Sequence, residues 1–515
     1  MSRDCIRWNG KWIQRKPMYA AHGVFRKETQ DSQELQMLAS VGWFPFKTRL
    51  IAWVGRGKAS IGFYLLLIVT FPMAFSDAAE STHFASVLEP TTIRSVDLPE
   101  PAVELVAHQF SEALKGSPTG SSPCRDCSSV LFSDEFCRRW KAFGTLYSND
   151  DGKLLQELKF IGRFHYQYGL VDGRPGGGDP VDYETDEMRR FRLGGTARFL
   201  KVWDLYAEAE VSDDQRPRGG DLRVRFKHMW QLKAHVDLKK AWDLDEIDGF
   251  KLGFGSREIN MSYEWVTSSK RIKTVERSAI ANKIWAYNTE FANPTGVWAI
   301  ADQGDYNLTL GVFSTTQDDW WASFNDGELY YSNLHWESPR NTDTRETDIR
   351  WTAFYQNVST EEESLAAGLE WASALSLQRR NGRRELQVEG ILGDNGEQSR
   401  ASREGTFWGL VIMPSIWLVE NKLEAVMKFQ YQGSDGNEGI RLNSRYIRRA
   451  GAREDFPELA NGRGDEHYSF YAGINRLFCE HQQKVMFGIE YDSLQQDDIN
   501  LYDGWSLYAA YRTYW

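Results

Sequence analysis

The chain of 515 residues carries 61 Lys+Arg against 72 Asp+Glu, a formal net charge of -11, which excludes a general nucleic-acid binder, since that needs a basic face. A hydrophobic fraction of 41% with a mean hydropathy of -0.53 excludes a bundle of membrane helices. Aromatic residues are abundant, with 20 Trp, 22 Tyr and 28 Phe, which suits a carbohydrate-binding β protein or an outer-membrane barrel with aromatic girdles.

In chain order, the first informative segment is the apolar run Ile61 to Phe75, IGFYLLLIVTFPMAF. It is short for a spanning helix, which needs about 20 residues. Lys47, Arg49, Arg56 and Lys58 precede it, and the small residues Ala74, Ser76, Ala78 and Ala79 follow. A basic flank, an apolar centre and a small-residue exit make a secretory signal, with cleavage expected after Ser76 or Ala78. Without residues 1–78 the chain keeps 50 basic and 67 acidic residues, a net of -17. From 79 to 153 we expect a periplasmic extension, helical over Val103 to Leu114 and then looped.

From Gln156 the hydrophobic period becomes two. Phe160, Gly162, Phe164, Tyr166 and Tyr168 alternate with Lys159, Ile161, Arg163, His165 and Gln167. The pattern repeats at 191–199, 205–211, 250–257, 306–314, 347–357, 385–393, 422–432, 485–491 and 505–515. Alternation over about ten residues, repeated to the end, predicts strands with one face to lipid and one to water. Connections alternate too. Leu200–Trp203, Ser359–Glu362, Val419–Asn421 and Glu480–Gln483 read as tight turns, whereas Leu170–Met188, Ser256–Asn293, Gly393–Thr406 and Gly433–Asp465 read as long loops. The fold expected is all-β: a transmembrane antiparallel β-barrel of about 16 strands over 154–515, with a short N-terminal periplasmic extension over 79–153 and a leader and signal over 1–78.

Several segments resemble one family. Arg189 to Phe199 (RRFRLGGTARF) with Trp203 to Glu210, Phe250 to Glu258 (FKLGFGSRE), Glu264 to Arg277 (EWVTSSKRIKTVER), Tyr471 to Asn475 (YAGIN) and Lys484 to Tyr491 (KVMFGIEY) follow, in order and spacing, the phosphate-selective porin O and P family. The resemblance implies a homotrimeric porin of the bacterial cell outer membrane, a 16-stranded barrel in lipid. Its third long loop would fold into the lumen, where basic residues bind small anions such as phosphate. The chain departs from the family in its acidic exported part and in ending on Trp515 where members usually end on Phe.

Three constellations are candidates for chemistry. The loop Ser268 to Lys283 holds Lys270, Arg271, Lys273, Arg277 and Lys283 against the single acid Glu276. It is either an anion-binding constriction or a loop pinned by wall carboxylates such as Glu208 and Glu210. Arg190, Arg192 and Arg198 share one strand face, as an electrostatic guide for anions or as partners of Glu208 and Glu210. Cys124, Cys127, Cys137 and Cys479 suit disulfides in an exported protein. We expect Cys137 to pair with Cys479, which sits at a tight turn on the side of the extension, and Cys124 with Cys127. No hydrolase, metalloprotease or phosphate-loop motif is present, so no enzyme activity, cofactor or metal site is expected. The function expected is a water-filled channel for small hydrophilic solutes, anion-preferring. The alternative is a plugged surface or structural barrel that acts in interaction rather than transport.

Overall fold

The computed structural model describes residues 5–8, 11–14 and 133–515, except for 177, 288–292, 317–322, 339–344, 361–362, 366–367 and 443. The apolar run at 61–75, the helix expected at Val103 to Leu114, Cys124 and Cys127 lie outside the described residues. Strands β1 (Cys5–Trp8) and β2 (Lys11–Gln14) pair antiparallel as a unit of their own.

Helix α1 (Asp134–Ala142) begins where the Ser133 hydroxyl accepts from the Phe136 amide, and it carries acids in its first turn and bases in its last, the arrangement that suits the helix dipole. A short β3 (Thr145–Ser148) follows. The strands then run β4 (Leu155–Pro175), β5 (Val181–Phe199), β6 (Trp203–Asp214), β7 (Leu222–Asp237), helix α2 (Leu238–Trp242) and β8 (Gly249–Ser256). The long connection after β8 holds α3 (Tyr263–Val266) and α4 (Ala279–Lys283). Next come β9 (Thr295–Gln303), β10 (Tyr306–Ser314), β11 (Gly327–Glu337), β12 (Arg345–Val358), β13 (Trp371–Asn381), β14 (Arg384–Asp394), β15 (Thr406–Val419) and β16 (Leu423–Ser434). A second elaborated connection holds β17 (Ile440–Arg441), α5 (Arg445–Arg453), α6 (Pro457–Asn461) and β18 (Arg463–Gly464). The chain finishes with β19 (Glu466–Leu477), β20 (Gln483–Gln496) and β21 (Ile499–Tyr514).

Sixteen antiparallel strands, β4 to β16 and β19 to β21, form a closed barrel. Strand β21 closes on β4, from Tyr502 opposite Pro175 to Tyr514 opposite Arg163, and β3 prolongs the seam beside the start of β4. Closure leaves no strand edge, the condition for a sheet in hydrocarbon. The burial pattern is inverted relative to a soluble protein. Leu252, Leu375, Leu392, Met427 and Phe487 are exposed on the outside, while Gln430, Gln432, His467, Ser469 and Lys428 are buried inside.

The tight turns expected at Leu200–Trp203, Val419–Asn421 and Glu480–Gln483 join β5 to β6, β15 to β16 and β19 to β20 at one end of the barrel. Two expectations are corrected. Leu170–Met188 is not a long loop: β4 runs on to Pro175 and β5 starts at Val181, so two strands project together beyond the wall. A bulge opposite His165 and Tyr166 leaves Arg189 of β5 unpaired and breaks the two-residue period of β5, which hides the start of that strand from a pattern count. Ser359–Glu362 is not a tight turn: the connection runs from Val358 to Trp371, at the long-loop end.

At the short-turn end α1 is fastened to the seam. Cys137 and Cys479 form a disulfide, with Cα atoms 5.1 Å apart. The Trp140 indole donates to the Tyr514 carbonyl at 2.7 Å, and its ring meets Trp515 edge-on.

Candidate channel constriction

The segment after β8, residues 257–294, turns into the barrel. Its apolar residues Ile259, Met261, Ile280, Ile284 and Ala286 are fully buried, and its polar backbone is matched to wall side chains. Thr352 on β12 donates to the Met261 carbonyl at 2.7 Å, and Glu389 on β14 accepts from the Tyr263 amide at 2.6 Å. Gln430 on β16 accepts from the Ala279 amide at 2.7 Å. Helix α4 reaches the wall because β15 offers Gly409: a Cβ there would come within 2.5 Å of Ile280.

One side of the wall holds the loop by its carbonyls. Arg512 on β21 donates to the Ser269 and Val275 carbonyls at 3.2 and 2.5 Å. Lys484 on β20 donates to the Ile272 carbonyl at 2.7 Å, and Lys428 on β16 to that of Glu276 at 3.2 Å. Asn475 on β19 adds a bond to the Lys273 carbonyl at 2.8 Å. Backbone groups buried this way need partners, and cations make the stronger bonds.

The adjoining stretch of wall, which continues from β21 around the barrel, is built from β4 to β7. Arg163 and Arg192 lie directly opposite each other on β4 and β5, an unfavourable pairing for like charges. Strand β6 supplies the carboxylates that resolve it. Arg163 binds Glu208 through two bonds of 2.9 and 3.0 Å and also donates to the Ser269 hydroxyl at 2.9 Å. Arg192 binds Glu210 at 2.8 Å, and its guanidinium lies 3.2 Å above the centre of the Trp230 ring. Arg190 differs: among the described residues it has no carboxylate partner, and its guanidinium meets the His165 Nδ1 at 3.4 Å. Between this wall and the loop lies a polar cavity of about 180 Å³ lined by Arg163, Arg190, Arg192, Lys233, Arg277 and Glu258, among others.

The candidate residues therefore separate. Arg190, Arg192 and Arg277 meet at the cavity. Arg277 is held within its own loop, donating to the Glu264 carbonyl at 2.7 Å and stacking on Trp265. Burial, opposed by Glu258 and Glu264, pulls its guanidinium down to about 10, so it is charged at neutral pH. Lys273 points to the other wall, between Glu385 at 2.9 Å and Glu424 at 2.8 Å, so pinning by carboxylates describes this residue, through other acids than Glu208 and Glu210. Lys270 lies over the Tyr514 ring, and burial and Arg163 lower its ammonium. Arg271 is exposed. Lys283 donates to Asn395 at 2.6 Å, beside Phe407. Arg198 is apart from the rest, at the short-turn rim, where it pairs with Asp150 at 2.7 Å. Glu276 is bound by Arg189 at 3.1 Å.

Arg163, Lys233 and Glu258 were not among the sequence candidates. Arg163 was detectable in principle, because it sits on the polar face of its strand. Its position opposite Arg192 requires the β4–β5 register, which alternation alone does not give.

A closed 16-stranded antiparallel barrel, polar within and apolar without, with a long loop folded inside, defines a β-barrel protein of the bacterial outer membrane. Residues 158–353 match the family described as phosphate-selective porin O and P, so the resemblance read from the sequence holds over that stretch. No curated protein sequence matches. Solved structures match at low identity. OprB of Pseudomonas putida is 9% identical, with 69% of this chain and 94% of that one covered and a TM-score of 0.43. OmpF of Salmonella typhi is 12% identical, with 72% and 99% covered and a TM-score of 0.42. The outer-membrane channel DcaP of Acinetobacter baumannii is 10% identical, with 69% and 97% covered and a TM-score of 0.40.

Proposed function

We propose that the protein is a passive, anion-preferring channel for small hydrophilic solutes, phosphate among them, assembled as a homotrimer after removal of residues 1–78 on export, with residues 79–153 as a periplasmic extension. The trimer and phosphate rest on the family resemblance. The observation that carries the anion preference is Arg190, buried at the cavity beside Arg192 and Arg277 without a carboxylate of its own. A buried guanidinium lacking a counter-charge is costly, and an anion entering the cavity offsets that cost. The overall acidity of the chain does not oppose this. Charges on exposed loops are screened over about 8 Å at physiological salt, whereas groups beside a desolvating passage act at close range.

The plugged-barrel alternative draws on the many bonds between loop and wall. Single-channel recording in planar bilayers separates the two readings. A channel gives ohmic steps, and under a KCl gradient its reversal potential takes the sign of chloride permeation. Phosphate added to the bath should reduce the chloride current, because multivalent oxyanions gain most from clustered guanidinium donors. Absence of conductance from folded protein would support the plugged barrel.

A further inference from the structure

The outer face of β13 to β16 carries a feature the channel does not use. Near the short-turn end, a crevice of about 490 Å³ opens between Leu386 on β14, Pro414 and Ile416 on β15, and Met427 on β16. Its origin is local. Pro414 lacks a ladder donor, and the β15–β16 pairing has no partners for Met413 and Pro414. The neighbouring outward position on β16 is small, Ala425, which lines the crevice. The result is an apolar depression in a surface that otherwise presents large side chains to lipid.

Its polar end is specific. Arg379 on β13 and Arg384 on β14 line the crevice at the turn that joins these strands. Both are exposed, and among the described residues neither has an ion-pair partner. Arg380 between them shows the contrast: it faces the other way and is bound by Glu346 at 2.9 Å and Glu385 at 3.1 Å. Short turns of such barrels face the periplasm. The crevice therefore presents two uncompensated guanidiniums at the headgroup level of the periplasmic leaflet and an apolar slot toward its acyl chains.

We propose that this crevice is a binding site for an anionic phospholipid, its phosphate held by Arg379 and Arg384 and one acyl chain lying against Leu386, Pro414, Ile416 and Met427. Arginine pairs suit phosphate geometry, and basic clusters at the edge of a hydrocarbon band select anionic headgroups. A second copy of the chain would leave both guanidiniums facing an apolar surface unless it supplied acids, so lipid is the better complement.

The test titrates delipidated, detergent-solubilised full chain with phosphatidylglycerol or phosphatidylcholine and counts bound lipid by native mass spectrometry. The parent is expected to bind phosphatidylglycerol at a concentration about tenfold lower than phosphatidylcholine. Arg379→Gln with Arg384→Gln should abolish that preference. Ala425→Leu, which fills the slot, should weaken both lipids while the barrel keeps its heat-modifiable mobility. Equal binding of the two lipids by the parent would overturn the proposal. So would efficient cross-linking between copies through Leu386→Cys and Met427→Cys in native membranes, which would make this face a contact between subunits.

Discussion

Two adjoining stretches of the barrel wall meet the inner loop with different chemistry. On β16 to β21, Lys484 and Arg512 spend their charge on loop carbonyls, and Lys428 divides its own between the Glu276 carbonyl and Glu490 on β20. On β4 to β6, Arg163 and Arg192 are bound by side-chain carboxylates, Arg163 reaching the loop only through the Ser269 hydroxyl. The first wall is an anchor, since cations that satisfy backbone groups fix a segment in place. The second lines the cavity between wall and loop, through Arg163, Arg190 and Arg192. A basic residue on the lumen face of a strand thus serves either purpose, and the partner decides which.

Breaking the anchor should have the largest effect. Lys484→Met with Arg512→Met leaves three loop carbonyls without these donors, a loss on the order of 3 kcal/mol. A lower thermal midpoint and a larger, noisier single-channel conductance are expected as the loop leaves the wall. If both quantities stay at parent values, the loop is held by its apolar contacts instead.

The seam beside the anchor gives the next effect. Cys137–Cys479 closes a loop of 342 residues, and Cys137→Ser should cost about 2–4 kcal/mol. Denaturant midpoints of parent and variant, each with and without reductant, check this: reductant should lower the parent to the level of the variant and leave the variant unchanged. Conductance should not change, because the bridge lies at the short-turn end, away from the cavity.

A smaller change sharpens the comparison electrostatically. Lys273→Gln removes the cation between Glu385 and Glu424, leaving two carboxylates beside the passage. The reversal potential should move toward cations. No movement would mean that these acids do not face the permeating ions.

The distinction between the walls was only partly legible in the sequence. The barrel was legible, because a strand with lipid on one side and water on the other writes its period into every second residue. The inner loop was legible as well, since 38 residues separate β8 from β9 and its basic residues contrast with the acidic chain around it. What escaped was pairing across the barrel. Lys273 and Arg277 look alike in the loop sequence, yet one reaches β14 and β16 while the other turns back on its own loop. Arg198 looked continuous with Arg190 and Arg192, but six residues along a strand carry it about 20 Å further, to the rim. Parity along a strand carries side-chain direction except at a bulge such as Arg189, whereas depth along the barrel axis and the partner on a distant strand depend on the closed register.

The most direct test of the central claim compares Arg190→Gln with Arg198→Gln in the same KCl gradient. Arg190→Gln should lower the anion preference, with conductance close to parent because no anchor is touched, and Arg198→Gln should leave the reversal potential where it was. Equal reversal potentials for the two variants, or a cation-selective parent, would contradict it.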